Sequence, residues 1–394
     1  MTESIILDVL LAVMLLGYLV YGWRVGLSHA IFAFVGVVAG AIAAYFLVPV
    51  VAAWVAFPVI RPLAVVIPIV GLVALGNVVG SLVGRTVRRG VEETPLSGLD
   101  RLAGGLATGV AAALIASVVA VSLGQLGVPV LSRAITGSAV LRTITALTPD
   151  PVEAWLAELR SQVMDTGLPV ISDALGIDVD VPAIDAASPA LTDAAQSVVR
   201  ITGNALACGV AQTGSGVVVG DDRVVTNAHV VAGVAEPVVE TLGGQAIAGS
   251  VVYFDPIDDL AVIAVPGLDA PPRPLGAPLK AGAEAAVQGY PFGGPFSSIG
   301  AGVVSVRTVD VADIYGQSTS PREVYTIASS VREGNSGGPL LDLDGSVVGI
   351  VFARNADDPD IGYAMTRQEL DPVVSAAASL GSPVDTGACA APAG

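Results

Sequence analysis

Four apolar runs fill the first third of this 394-residue chain and constrain its fold more than anything after them. They cover about Ile5–Tyr21, Ala30–Val55, Leu63–Val83 and Leu102–Leu123. Each approaches the roughly 20 residues a helix needs to cross hydrocarbon. Only Asp8 interrupts the first run; its place near the start favours an interfacial residue over the alternative, a polar contact inside the bundle. That run is not a cleavable signal peptide, because it lacks a basic leading region and three further spans follow. The composition agrees: 53% hydrophobic and 13% charged residues are too apolar for a wholly soluble protein.

Small residues recur at a spacing of four, as Gly36, Gly40 and Ala44 and as Gly105 and Gly109. Such faces let helix backbones approach closely in lipid, so the four spans are expected to bundle. Arg85, Arg88, Arg89 and Arg101 flank the third and fourth spans, which places that loop in the cytoplasm. Four spans then put the short N-terminus and everything after about residue 125 outside. Arg24 falls inside; Arg61 falls outside and is the one dissenter.

Residues 126–200 read as a connecting segment. The spacing of Trp155, Leu156, Leu159 and Val163 predicts a helix from about Pro151 to Asp165. A second short helix is expected over Pro169–Leu175, followed by a Pro/Asp/Ala-rich linker over Asp178–Pro189. From Val198 onward short β-rich runs alternate with Gly, Pro and Asp turns. The strands expected lie near 217–219, 224–226, 238–242, 246–254, 260–265, 285–290, 299–309, 323–329, 339–342 and 346–353. So many short strands with almost no helix imply a barrel or sandwich, and about 180 residues suffice for two six-stranded barrels.

Within this β region lies Gly334-Asn335-Ser336-Gly337-Gly338-Pro339. Glycines around a serine permit a tight turn with no Cβ to block a substrate backbone. They also free N–H groups to face a developing oxyanion. These six residues match G-[DN]-S-G-G-P, and on them the segment resembles the trypsin-like serine proteases of chymotrypsin fold. A serine nucleophile needs a base. His29 sits at the cytoplasmic end of the second span, and Lys280 is the single lysine, so His229 is the imidazole left. Its segment Thr226-Asn227-Ala228-His229-Val230-Val231, preceded by Gly214-Ser215-Gly216-Val217, resembles the histidine segment of the same family.

The imidazole in turn needs a carboxylate on its other nitrogen. Asp255, Asp258 and Asp259 compete, and the residues alone leave the choice open. Asp259-Leu260-Ala261-Val262-Ile263 resembles the family's aspartate segment, which implies Asp259. The order His229, Asp259, Ser336 is that of the trypsin-like fold. The resemblance further implies an oxyanion hole from the N–H groups of Gly334 and Ser336. The substrate pocket is expected around Ser330, Val351, Phe352 and Ala353, none of which is acidic, so a small or medium apolar residue should precede the cut bond. Asn335 replaces the aspartate with which digestive relatives bind a freed N-terminus, so that activation route is not expected. Asn here is shared with the HtrA-like branch, although no room remains after residue 380 for a PDZ domain.

Two cysteines, Cys208 and Cys389, fit one disulfide in an oxidising compartment, the alternative being two free thiols. A net charge of -17 with no basic stripe argues against nucleic acid as a partner. The implied partners are protein or peptide substrates and the lipid bilayer; no cofactor or metal is called for.

The N-terminal pattern, with Asp8 early and Trp23-Arg24-Val25-Gly26-Leu27 after the first span, resembles the colicin V production (CvpA-like) membrane domain. Joined to an external trypsin-like protease, it resembles the mycobacterial MarP family of membrane-anchored periplasmic serine proteases. The architecture expected is therefore multi-domain: a four-helix transmembrane bundle over 1–125, a linker over 126–200, an all-β chymotrypsin-like double barrel over 201–380, and a tail over 381–394 tied back by the disulfide. The resemblance implies an extracytoplasmic endopeptidase of the inner membrane, serving acid or oxidative stress tolerance in the envelope. The alternative is a membrane channel or scaffold with a regulatory or inactive protease-fold domain.

Overall fold

A computed structural model describes residues 2–54, 61–92, 94–124, 129–149, 152, 156, 168–171, 180–205, 208 and 210–391. The chain divides into one unit over 8–117 and another formed by 1–7 with 118–394.

The first unit is helical: α1 (Thr2–Val25), α2 (Leu27–Trp54), α3 (Arg61–Glu92) and α4 (Ser97–Gly124). All four are long and apolar enough to cross a membrane. Their outward faces carry exposed Leu10, Val13, Phe34, Leu75 and Leu106, as lipid contact requires. Gly26, with φ 80°, separates α1 from α2. There the Asp100 carboxylate of α4 accepts the Ser28 N–H at 2.8 Å, satisfying a donor that the start of α2 leaves open. The glycine faces do the packing. A Cβ on Gly36 would overlap the Gly76 carbonyl oxygen, one on Gly40 that of Leu72, and one on Gly80 that of Phe32. On α1 and α4, Gly22 is pressed in the same way against Gly104 and Thr108.

Between the spans and the β region, the sequence reading missed helices at Pro129–Thr136 and Ala139–Leu147; Ser138 caps the second by accepting the Leu141 N–H. Of the helix expected over 151–165, Val152 and Leu156 are helical, and Pro151, Trp155, Leu159 and Val163 lie outside the described residues. The helix expected over 169–175 is corrected in its first part. Val170–Ile171 form strand β1, and 172–175 lie outside the described residues. A β-branched pair behind a proline favours extended backbone, and the end of a neighbouring strand at Arg354 and Asn355 pairs with it. The expected linker is irregular from 180 until Ser188 caps a helix over Pro189–Ala195; 178–179 lie outside the described residues.

The β region forms two curled sheets. The first runs β6 (Ala246–Ala248), β5 (Val238–Thr241), β2 (Val198–Ala205), β3 (Val210–Gly220), β4 (Arg223–Thr226), β8 (Leu260–Ala264), β7 (Ser250–Asp255). Only Gly249 separates β6 from β7, so one bent piece of chain lies at both ends of the order and closes the sheet. A Cβ on Gly249 would crowd Ile263 and Val265 at that corner. The second sheet runs β1, β13 (Val347–Asn355), β12 (Pro339–Leu341), β9 (Glu284–Gly289), β10 (Ser297–Ala312), β11 (Thr319–Ala328), β14 (Ile361–Thr366), and β14 pairs back onto β13. It is a closed six-stranded ring with β1 added parallel at Arg354 and Asn355.

Strand alternation fills three apolar clusters. Val218, Val224, Val251 and Ile263 lie in the first barrel; Val287, Val303, Ile327 and Leu340 lie in the second. Their strand neighbours Val217, Val225 and Val262 join Ile350, Phe352 and Met365 in a third cluster. Helix Arg367–Ala377 adds Leu370, Val373 and Ala377 to that cluster, an element the strand pattern did not announce.

Cys208 and Cys389 are bonded. The tail they hold donates Val384 N–H to Val251 and Ala391 N–H to Ile314, and its Thr386 carbonyl accepts the Gly233 N–H.

Two outcomes are expected. Gly36→Leu abolishes monodisperse full-length protein in detergent by size-exclusion chromatography, whereas Gly71→Leu, where a Cβ meets nothing within 4 Å, is tolerated. Reduction of the bridge, which spans 181 residues, lowers the Tm of the protease transition, the loop-entropy limit being about 5 kcal/mol.

Candidate active site

The loop around Ser336 is built from backbone demands. Gly334 has φ 87° and Gly337 φ 79°, conformations that L side chains rarely adopt. A Cβ at Gly337 would also overlap the Ser215 carbonyl and the Thr226 hydroxyl. Asn335 serves the same loop. Its side-chain oxygen accepts the Arg332 N–H at 3.0 Å, and its own N–H returns to the Arg332 carbonyl at 3.0 Å.

Ser215 ties this loop to the first barrel, and the sequence reading gave it no role of its own. Its N–H donates to the Ser336 carbonyl at 2.8 Å and its hydroxyl donates to the Gly334 carbonyl at 2.6 Å. The same hydroxyl accepts the Tyr290 N–H at 2.9 Å, and the Ser215 carbonyl accepts from the Thr226 hydroxyl at 2.7 Å. Thr226 leads into the short helix Ala228–Val231 that carries His229, so the loop and the histidine share one scaffold.

His229 and Asp259 meet. Nδ1 lies 2.8 Å and 3.0 Å from the two carboxylate oxygens, and the His229 backbone N–H also donates to the carboxylate at 2.9 Å. Both residues are buried. The competing acids are occupied elsewhere. Asp255 accepts the Ile257 and Asp258 N–H groups and the Tyr253 hydroxyl, and Asp258 accepts from Ser320. Burial, with Asp255 beside it, pushes the Tyr253 phenol up to about 12.

Ser336 is 3% exposed. Its Oγ and His229 Nε2 are both buried without a hydrogen-bond partner, so the bond between them is not made in this structure. Two buried polar atoms left open cost about 1–3 kcal/mol each, an arrangement typical of functional sites.

Of the pocket residues expected, Val351, Phe352 and Ala353 are buried, and Phe352 lines a cavity of about 190 Å³ together with His229 and Asp259. Pro169, Val170 and Ile171 line it too, as do Ala390 and Ala391 of the tail. Ser330 does not; its hydroxyl donates to the Asp360 carboxylate, an acid the sequence reading did not place there. Asp360 sits 30 residues away, in the turn between β13 and β14, which only the fold reveals.

Gly337→Ala should abolish hydrolysis of labelled casein by the full-length protein in detergent while its size-exclusion elution stays that of wild type; retained activity would show that the loop does not need this glycine.

Residues 214–350 match the trypsin-like peptidase domain family, and 7–149 match the colicin V production protein family. The chain is 34% identical over 400 residues to the serine protease Rv3671c of Mycobacterium tuberculosis, covering 99% of this chain and all of that one. It is 31% identical to the Do-like serine protease HtrA of Lactococcus lactis over 179 residues, 41% of this chain and 44% of that one. The crystal structure of the active form of the Rv3671c protease superposes with a TM-score of 0.52 at 37% identity, covering 56% of this chain and all of that one. The chain therefore belongs to the trypsin-like serine protease family that includes Rv3671c, and is a serine endopeptidase with four helices long and apolar enough to anchor it in a membrane.

Proposed function

We propose that this endopeptidase cuts proteins outside the cytoplasm by a Ser336–His229–Asp259 triad. The observation that carries the reading is the paired geometry of the site. Asp259 holds Nδ1 at 2.8 Å, which leaves Nε2 as the open face of the ring, and the Ser336 hydroxyl is the other open buried group. With Nδ1 protonated and bonded to a carboxylate, Nε2 is the basic nitrogen.

A bound peptide closes the gap between the two open groups. Ser336 Oγ attacks the scissile carbonyl as its proton passes to Nε2, and the C=O π pair moves onto oxygen. The N–H groups of Gly334 and Ser336 stabilise that oxyanion; each such donor contributes about 2.7–4 kcal/mol to the barrier in related chemistry. The tetrahedral species collapses, the C–N bond breaks, and the amine leaves with the proton from Nε2. Water then attacks the Ser336 ester by the same route in reverse, releasing the acid and restoring the hydroxyl.

The arginines at 85, 88, 89 and 101 support a cytoplasmic loop there and an outward-facing protease. Proteins of the cell envelope are then the substrates within reach.

The test compares membranes holding wild type or Ser336→Ala, with mass spectrometry of new protein N-termini. Envelope-protein cuts present only with wild type are expected. The same cuts with both would remove Ser336 from the chemistry.

A further inference from the structure

Asp259 has an unusual backbone for a residue with such a task. Its φ is 54°, in the left-handed region that aspartate tolerates better than most side chains but rarely occupies. Such a conformation persists only where the surroundings over-determine it. Two side chains do so here by gripping the carbonyls on either side. Asn227 Nδ2 donates to the Asp259 carbonyl at 2.9 Å. Arg322 Nη1 donates to the Asp258 carbonyl at 3.3 Å, and its Nη2 to the Ala312 carbonyl at 2.8 Å. Arg322 thus reaches from β11 of the second barrel onto the turn of the first barrel that presents the acid.

Arg322 is itself anomalous. It is 1% exposed, forms no ion pair among the described residues, and has an unpartnered buried Nε. Buried arginines are usually paired with a carboxylate, because an isolated buried charge is costly. This guanidinium instead sits 5.8 Å from the Phe352 ring centroid and lines the same cavity as His229 and Asp259. Burial pulls its pKa down, and Asp259 leads the acids that oppose this, ahead of Asp258, Glu369 and Asp255. Two of the other three are engaged in bonds to backbone N–H groups: Asp255 caps its own turn, and Glu369 accepts the Glu323 N–H at 2.9 Å.

We propose that Arg322 is a positioning residue for the catalytic couple: its Nη1 holds the Asp258–Asp259 peptide, and its guanidinium lines the same cavity as the carboxylate that orients His229. The inference rests on the triad reading above. Arg322 touches neither substrate nor reacting atoms; it acts through Asp259. Its effect should therefore appear in kcat and vanish when Asp259 no longer carries its charge.

The experiment is a double-mutant cycle on the full-length protein in detergent, with fluorescein-labelled casein as the probe. Arg322→Met is expected to lower kcat about 10- to 100-fold, the range for a small misplacement of a catalytic group, with KM within about twofold. Arg322→Lys, which keeps the charge and gathers its donors on one nitrogen, should retain about tenfold more kcat than Arg322→Met. In an Asp259→Asn background Arg322→Met should cost nothing further, because residues acting as one unit are non-additive. Additive losses, a rise in KM at constant kcat, or equal kcat for the Lys and Met variants would each overturn the proposal. If Arg322→Met does not fold, the Lys variant carries the same cycle: any loss it shows must disappear with Asp259→Asn. Casein hydrolysis that survives Ser336→Ala would fail the triad reading, a result distinguishable from all of these.

Discussion

The contact on which the protease unit depends is the grip of one carboxylate on one imidazole. Asp259 accepts both the ring Nδ1 and the backbone N–H of His229, so it fixes the position and the tautomer of the ring together. The geometry is expensive. It needs a left-handed aspartate, a buried arginine across the barrel interface, and a buried asparagine whose side chain does nothing but hold a carbonyl. The asparagine and the arginine each donate to a carbonyl flanking the residue that carries this carboxylate.

The barrels bring these parts together by different means. The histidine and the aspartate belong to the first barrel, the Ser336 loop and Arg322 to the second. Ser215 bridges the two through three bonds, two of them to the Ser336 loop, and the valines of β3, β4 and β8 pack against Ile350 and Phe352 between them. The tail, held at Cys389, and the strand at Val170–Ile171 both reach the cavity beside His229. Segments at opposite ends of the β region thus converge on the cleft.

What could be read from the sequence was what is local. The glycines at 334 and 337 are required by the φ of their own residues, so the loop announced itself as a six-residue pattern. Gly36 and Gly40, spaced by four, announced the packing face of α2, although not that α3 is its partner. His229 emerged because the chain has only two histidines. The choice among Asp255, Asp258 and Asp259 could not be made from residue type. In the fold, Asp255 caps its own turn while Asp259 faces the ring. Arg322 and Ser215 were hidden for the same reason: their key partners are 64 and 119 residues away. β1 was hidden because two β-branched residues beside a proline carry too short a signal to compete with a helical reading, and only the end of β13 that runs past β12 decides the matter.

The most direct measurement is the site and dependence of covalent capture by diisopropyl fluorophosphate. A hydroxyl activated by a held imidazole should give a single adduct, mapped by tandem mass spectrometry to Ser336 and lost in His229→Ala. An adduct elsewhere, or one at Ser336 that persists unchanged without His229, would contradict the account.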